Sequence, residues 1–525
     1  MKTMPLTARS KALSLARAAI WAVLLLALAL LGQRVAVFLD QADHVLRWPF
    51  GLDYGEGVVW QQANMMLTPR AYGPIDGFPA IVFNYPPLYH VVTLMASAVT
   101  GNDMLSAGRG VSIGCALLSA FIIAMIIART LPDDLPAGPR TAGAVIGALS
   151  IFCFPSVTYW ALLMHVDMLA FLFSLCGFWL GLKAFEMPKL IYAAALCFVA
   201  AVFSKQTALA APAALFALML CRRPLLAFQG IATCIVLGLA VLAGLEFATH
   251  GGFIRHIVAY NINPFEPERI QIVVQVAKEN LLLLLVAAIG AWRRIGDIRR
   301  RSGRSGMAMV IESPADISWI GLSFYFLTSS LMLTTVMKSG SNVNYVIEWV
   351  FVATMLAGSA LGDGLHLATK GFDARLRDAG FVATAFGIPA MFAVQAWLIS
   401  LSGVDDAFNK MWDGSKGAEL TALSAKLRDA SKPVISDQIV LLLRSGKPVV
   451  WEPAIFSELA STGAWDERPF VGRILAGDFS MFVTNGEHGD KGFDHRYSPA
   501  VSAAMDVAYP VKEKIAGLVV HLPAH

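Results

Sequence analysis

The chain has 525 residues, of which 57% are hydrophobic and only 15% charged, against about 25% charged in an ordinary soluble domain. A larger soluble core does not explain that deficit, so a membrane is the natural solvent. The net charge of +4 comes as short Lys/Arg clusters between apolar runs, with no long basic stripe, which excludes a nucleic-acid binder.

In chain order, Lys2, Arg9, Lys11 and Arg17 precede an apolar run over 18–31. No small-residue cleavage site follows, so the run reads as an uncleaved first transmembrane helix and not as a signal peptide. Apolar runs of roughly the 17–25 residues a span needs, some of them short, are predicted at 18–39, 110–128, 142–164, 168–184, 190–203, 208–220, 225–247, 281–292, 317–337, 349–361 and 380–401. The segment 88–100 is apolar but short and opened by Pro86 and Pro87, so it reads as a helix at the membrane interface. All six cysteines, Cys115 to Cys234, lie in or beside apolar stretches and read as small packing residues.

Charge placement sets the topology. With a cytoplasmic N-terminus the inside loops hold Arg129 and Arg140, Lys183 and Lys189, then Arg222 and Arg223. After them come the cluster from Arg293 to Arg304 and then Lys370, Arg375 and Arg377. Every alternate loop is basic, as the positive-inside rule requires, and an odd number of spans leaves the tail outside. That tail is charged, with short runs predicting strands at 433–436, 447–451, 479–484 and 517–521 and helices at 419–429, 456–461 and 499–507. The expected fold class is a polytopic α-helical membrane protein of about eleven transmembrane helices, with a membrane domain over 1–401 and a small extracytoplasmic α/β domain over 402–525.

Polar groups at membrane depth are costly and are usually paired or functional. On this topology the unusual ones gather on the outer side. Asp53-Tyr54-Gly55-Glu56-Gly57 follows the first span. Its two acids share a face if helical, although a solvated loop accounts for them too. Asn84-Tyr85-Pro86-Pro87-Leu88-Tyr89-His90 is either a proline-fixed helix start with aromatic anchors or a binding segment. His165-Val166-Asp167 and Ser204-Lys205-Gln206 sit in tight turns between apolar runs. Lys205 breaks the positive-inside pattern as an anion-binding residue would, or else it snorkels. The segment Lys338 to Tyr345, with Asn342, Asn344 and then Glu348, is dense in hydrogen-bonding groups suited to a phosphate or sugar, as ordinary loops also are.

Taken in order, the acidic first loop, Tyr-Pro-Pro-Leu-Tyr at 85–89, the tight turn bearing Asp167 and Lys-Gln-Thr-Ala-Leu at 205–209 resemble the GT-C glycosyltransferases. The pattern is similar to the bacterial branch related to protein O-mannosyltransferases and the aminoarabinose transferases of lipid A. Gly-Ser-Asn-Val-Asn-Tyr at 340–345 and the tail's Pro-Val-Val-Trp-Glu-Pro are similar to uncharacterised bacterial members. Two positions depart from the aminoarabinose transferases: Tyr85 stands where a basic residue is common before Pro-Pro, and His165 where Arg is common.

The resemblance implies a sugar donor on a polyprenyl phosphate, a cell-envelope acceptor (glycan, lipid or protein), and inversion at the anomeric carbon in a bacterial plasma membrane. It implies Asp53 as catalytic base, Glu56 and Asp167 as orienting acids, and Lys205 at the departing phosphate. Tyr85, His90, His165, Gln206, Lys338, Asn342, Asn344, Tyr345 and Glu348 would then line the donor site. No His/Asp/Glu cluster has metal-ligand spacing, so a divalent metal is allowed but not indicated, and no other cofactor is expected. The rival readings are a transporter, whose repeated halves are not evident here, and a non-catalytic membrane scaffold.

Overall fold

The computed structural model describes residues 6–261, 263–305, 313–369 and 386–524. Lys2, the basic group Lys370, Arg375 and Arg377, and the start of the span expected at 380–401 lie outside them. The chain begins with helices α1 (Leu6–Arg47), α2 (Tyr54–Met65), α3 (Leu88–Thr100), α4 (Met104–Thr130), α5 (Ala137–Leu149) and α6 (Pro155–Ala161). Next come α7 (Asp167–Lys183), α8 (Leu190–Ser204), α9 (Ala210–Arg222) and α10 (Pro224–Ala248).

Among the described residues five helical stretches are long and apolar enough to cross a bilayer, or up to eight if each of three sharply bent pairs is one span. The run expected at 142–164 is one such pair: Ala137–Cys153 turns by 75° into Pro155–Ala161. Proline supplies the reason, because Pro155 has no amide hydrogen and holds Phe154 extended (φ −113, ψ 114). The run at 281–292 belongs to another pair, with a 70° turn between Pro267–Glu279 and Leu281–Arg300. Helices α8 and α9, expected as separate spans, have 15 and 13 residues. At about 1.5 Å per residue each falls short of the roughly 30 Å hydrocarbon core. Helix α3, with 13 residues, is short in the same way.

Charge is sorted between the two ends of the bundle. At one end Arg129, closing α4, pairs with Glu186 at 2.8 Å, and Arg294 pairs with Asp316 at 2.8 Å and Asp363 at 3.1 Å. The other end gathers the start of α7, the end of α8 and the loops around 53 and 340, and the C-terminal sheet packs there.

The sheet holds four strands in the order β1-β2-β4-β3, namely β1 (Val434–Ser436), β2 (Met481–Thr484), β3 (Val511–Ile515) and β4 (Leu518–Leu522). β1 pairs parallel with β2, whereas β4 pairs antiparallel with both β2 and β3. The strand expected at 447–451 is absent; Trp451 instead makes one isolated bridge to Ala80, whose amide donates to the Val450 carbonyl at 2.8 Å. β3 was not expected, because Val-Lys-Glu-Lys-Ile is a charged, exposed edge, the composition that blunts edge pairing. Its hairpin turns through Ala516 (φ 54) and Gly517 (φ 78), the positive-φ pair a two-residue hairpin needs. Glu419 holds the unusual alanine by accepting its amide at 2.7 Å.

The sheet domain docks through the Ile439–Arg444 helix on α2. A Cβ at Gly57 would stand 2.6 Å from Ile439 Cβ and 2.8 Å from the Val440 backbone nitrogen, so glycine is what permits that approach. Arg444 then ties the loop beside α2, donating to the Pro49 carbonyl and to Asp103, both at 2.8 Å.

Candidate functional site

The site is built on a buried arginine that sequence reading passed over. Arg109, in α4, is fully buried and donates to both oxygens of Glu56 at 2.7 and 2.8 Å. Its remaining N–H groups reach the carbonyls of Val45, Trp48 and Phe50 at 2.7–2.8 Å. One guanidinium thus fastens the end of α1, the loop after it and the start of α2. Glu56 also accepts from the amides of Leu52 at 2.8 Å and Met164 at 3.0 Å, so all its capacity is taken. It therefore does not reach the cleft as the expected orienting acid; it holds the loop that carries Asp53. The only sequence signal was an arginine beside an apolar run, on the side where basic residues are scarce.

Asp53 caps α2, its Oδ1 accepting the Gly55 amide at 2.7 Å. Its other oxygen has no hydrogen-bond partner among the described residues. Burial pushes the Asp53 carboxyl above its ordinary value, with the nearby His165 pulling the other way. Gly55 makes that closeness possible: a Cβ there would lie 3.0 Å from Asp53 Oδ1 and 3.3 Å from His165 Nε2.

The two tight turns meet on Asp167, which is fully buried. It accepts from Lys205 Nζ at 2.5 Å, from Asn344 Nδ2 at 3.1 and 3.2 Å, and bonds His165 Nδ1. Lys205 Nζ also lies 4.1 Å from the centre of the Tyr345 ring. His165 is enclosed by Trp160 and Tyr85, ring centroids 4.9 and 5.5 Å away, and its Nε2 is 3.4 Å from the Tyr85 hydroxyl. Asp167 does not line the cleft. It orients the imidazole and holds the lysine from behind.

These groups open onto a cleft of about 730 Å³. Of the expected residues, Asp53, Tyr85, His165, Lys205, Gln206, Lys338, Asn342, Asn344 and Tyr345 line it. Glu56, Asp167, His90 and Glu348 do not. His90 is buried and bonded to Gln62 at 3.0 Å, and Gln62 in turn holds the Val82 carbonyl at 2.8 Å. The histidine therefore braces the segment that presents Tyr85. Glu348 is buried and accepts from the Tyr325 hydroxyl at 2.6 Å.

The sheet domain completes the lining, which no span-by-span reading could foresee. Glu452, in the Trp-Glu-Pro motif, takes the Tyr54 hydroxyl on Oε1. Burial pushes its carboxyl up to about 7, with the bond from Tyr54 acting to lower it. Arg496 lies 4.5 Å over the Tyr54 ring and 3.3 Å from Asp437. Glu458 receives Ser339 Oγ at 2.7 Å and Asn263 Nδ2 at 2.5 Å. Lys338 donates to the Asn261 carbonyl at 2.6 Å, and burial draws its ammonium below the ordinary lysine value against the opposing Glu458 carboxylate. Among the described residues no group of three or more His, Cys, Asp or Glu is placed to hold a metal. The cleft thus combines two carboxyl groups held above their ordinary values, Asp53 and Glu452, with a carboxylate-oriented histidine, three cations and several amides.

No protein-family model matches the chain, and no curated protein matches its sequence. Solved structures do match. ArnT from Cupriavidus metallidurans bound to undecaprenyl phosphate is 14% identical with a TM-score of 0.56, over 94% of this chain and 97% of that one. The same protein in the apo state gives 14% and 0.57, over 93% and 97%. The oligosaccharyltransferase of Archaeoglobus fulgidus in the apo form gives 11% and 0.51, over 86% of this chain and 69% of its own. At these identities the likeness establishes the fold: the chain has the GT-C membrane fold, with a small C-terminal sheet domain.

Proposed function

We propose that this protein is a glycosyltransferase that moves a sugar from a polyprenyl-phosphate donor to a cell-envelope acceptor on the outer face of a bacterial plasma membrane. The observation that carries the proposal is the convergence, at the end of the bundle away from the basic loops, of Asp53 with Lys205, Lys338 and Arg496 around one cleft. The likeness to an ArnT structure with bound undecaprenyl phosphate supports the class of donor. The membrane domain over 1–401 binds the lipid, and the domain over 402–525 closes the cleft.

In this reading the acceptor hydroxyl attacks the anomeric carbon, the bond from that carbon to the phosphate oxygen breaks, and the hydroxyl proton passes to Asp53. A base must lie within hydrogen-bond reach of that hydroxyl, and Asp53 keeps one oxygen free for it. The leaving group gains a negative charge as a phosphate monoester. Fixed cations therefore stabilise the transition state more than the ground state, and Lys205 is held in place for this by Asp167 and Tyr345. Attack from the face opposite the departing phosphate inverts the anomeric centre.

Purified protein given a synthetic polyprenyl-phosphate hexose and an envelope extract should release polyprenyl phosphate and form a product of opposite anomeric configuration. A product of retained configuration would count against direct attack by the acceptor. The location makes its own prediction. A periplasm-active reporter fused after Leu401 should be active, and one near Arg300 silent. The reverse pair of results would put the cleft on the cytoplasmic side and remove the proposal's basis.

A further inference from the structure

Three of the amides that line the cleft are turned the same way. Gln206 Nε2 donates to the Asn84 carbonyl at 2.9 Å, Asn263 Nδ2 to the Glu458 carboxylate at 2.5 Å, and Asn344 Nδ2 to the Asp167 carboxylate at 3.1 Å. Each partner only accepts hydrogen bonds, so each NH₂ must face it and each amide oxygen must point elsewhere. The three oxygens left over, Gln206 Oε1, Asn263 Oδ1 and Asn344 Oδ1, have no partner among the described residues, and neither has Glu452 Oε2. All four residues line the same cleft. They come from three loops of the bundle and from the sheet domain.

A buried polar atom without a partner is costly and uncommon, and several in one place need an explanation. Their chemistry supplies one: with Asn84 Oδ1 they make five oxygens, against two nitrogens, Trp160 Nε1 and one of Arg496, that lack a hydrogen-bond partner on the same lining. Such a lining matches a ligand that brings hydrogen-bond donors. It mismatches one that brings a carboxylate, which has no hydrogen to donate to these oxygens.

Building on the glycosyltransferase reading, we infer that Gln206, Asn263, Asn344 and Glu452 form the subsite for the transferred sugar and select a neutral, hydroxyl-rich sugar over the corresponding uronic acid. The phosphate is left to Lys338, Lys205 and Arg496, which line the same cleft. A site built to bind hydroxyl groups rejects analogues that leave its buried partners unpaired far more strongly than an apolar pocket rejects a change of size.

The test compares three ligands on the purified full chain in detergent: polyprenyl phosphate, polyprenyl-phosphate glucose and polyprenyl-phosphate glucuronate. Binding is read from the rise in Tm and turnover from release of polyprenyl phosphate. The glucose donor should bind at least about 10-fold more tightly than polyprenyl phosphate alone and be used about 100-fold or more better than the glucuronate donor. Gln206→Leu and Asn263→Leu should each weaken the glucose donor about 10-fold while leaving polyprenyl phosphate binding unchanged. If polyprenyl phosphate binds but glucose adds nothing, or glucuronate serves as well as glucose, the sugar subsite is wrong while the lipid-phosphate reading survives. If none of the three raises Tm, both are wrong.

Discussion

Replacing Asp53 by Asn is expected to lower turnover about 100- to 10,000-fold, the range general-base catalysis commonly contributes, with donor binding close to that of the parent. The substitution isolates the proton acceptor. Asn caps a helix as well as Asp does, so the bond from the Gly55 amide at 2.7 Å and the start of α2 survive. Burial raises the Asp53 carboxyl, and a base works deprotonated. Parent turnover should therefore fall as pH drops through that raised value, while the residual rate of Asp53→Asn should lack that limb. Single-turnover release of polyprenyl phosphate across the pH range measures both. Normal turnover in Asp53→Asn, with loss in Asp167→Asn, would move the base to the His165–Asp167 pair. Normal turnover in both would leave only a shared fold.

The largest stability effect should come from Arg109→Met. It strands the Glu56 carboxylate in a fully buried position and removes donors from three backbone carbonyls. Breaking a buried ion pair from one side costs about 3–5 kcal/mol, and Tm in detergent should fall accordingly. Transfer should fail as well, since the loop bearing Asp53 loses its anchor. Arg109→Met combined with Glu56→Gln should recover part of the Tm, because the stranded charge is gone. A single Arg109→Met variant with parental Tm would refute the anchoring role.

Several features were legible in the sequence because they depend on composition and order alone. The charge deficit and the alternation of basic loops depend on the solvent, not on the partner helix, so they mark a membrane bundle with two unlike ends. Asp53, Tyr85, His165, Lys205 and the 338–345 segment could be suspected because a polar residue in a short turn between apolar runs is expensive wherever the chain folds. Span boundaries were less legible. Pro155 bends the run expected at 142–164 by 75°, and α8 and α9 stop at the turn carrying Lys205, so apolar length overstated helix length.

Which polar residues face the cleft and which stand behind it was decided by tertiary structure alone. Asp53 and Glu56 are three residues apart and look equivalent as sequence. Yet Arg109 neutralises one from a different helix, while the other keeps a free oxygen at the cleft. Likewise Asp167 reads as a catalytic acid until Lys205, Asn344 and His165 are seen to occupy it, and Glu452 reads as a tail residue until Tyr54 meets it. Periodicity and composition report how one segment meets its solvent. Pairing a buried charge requires a second segment at hydrogen-bond distance, and only the folded arrangement of the helices and the docked sheet determines which segment that is.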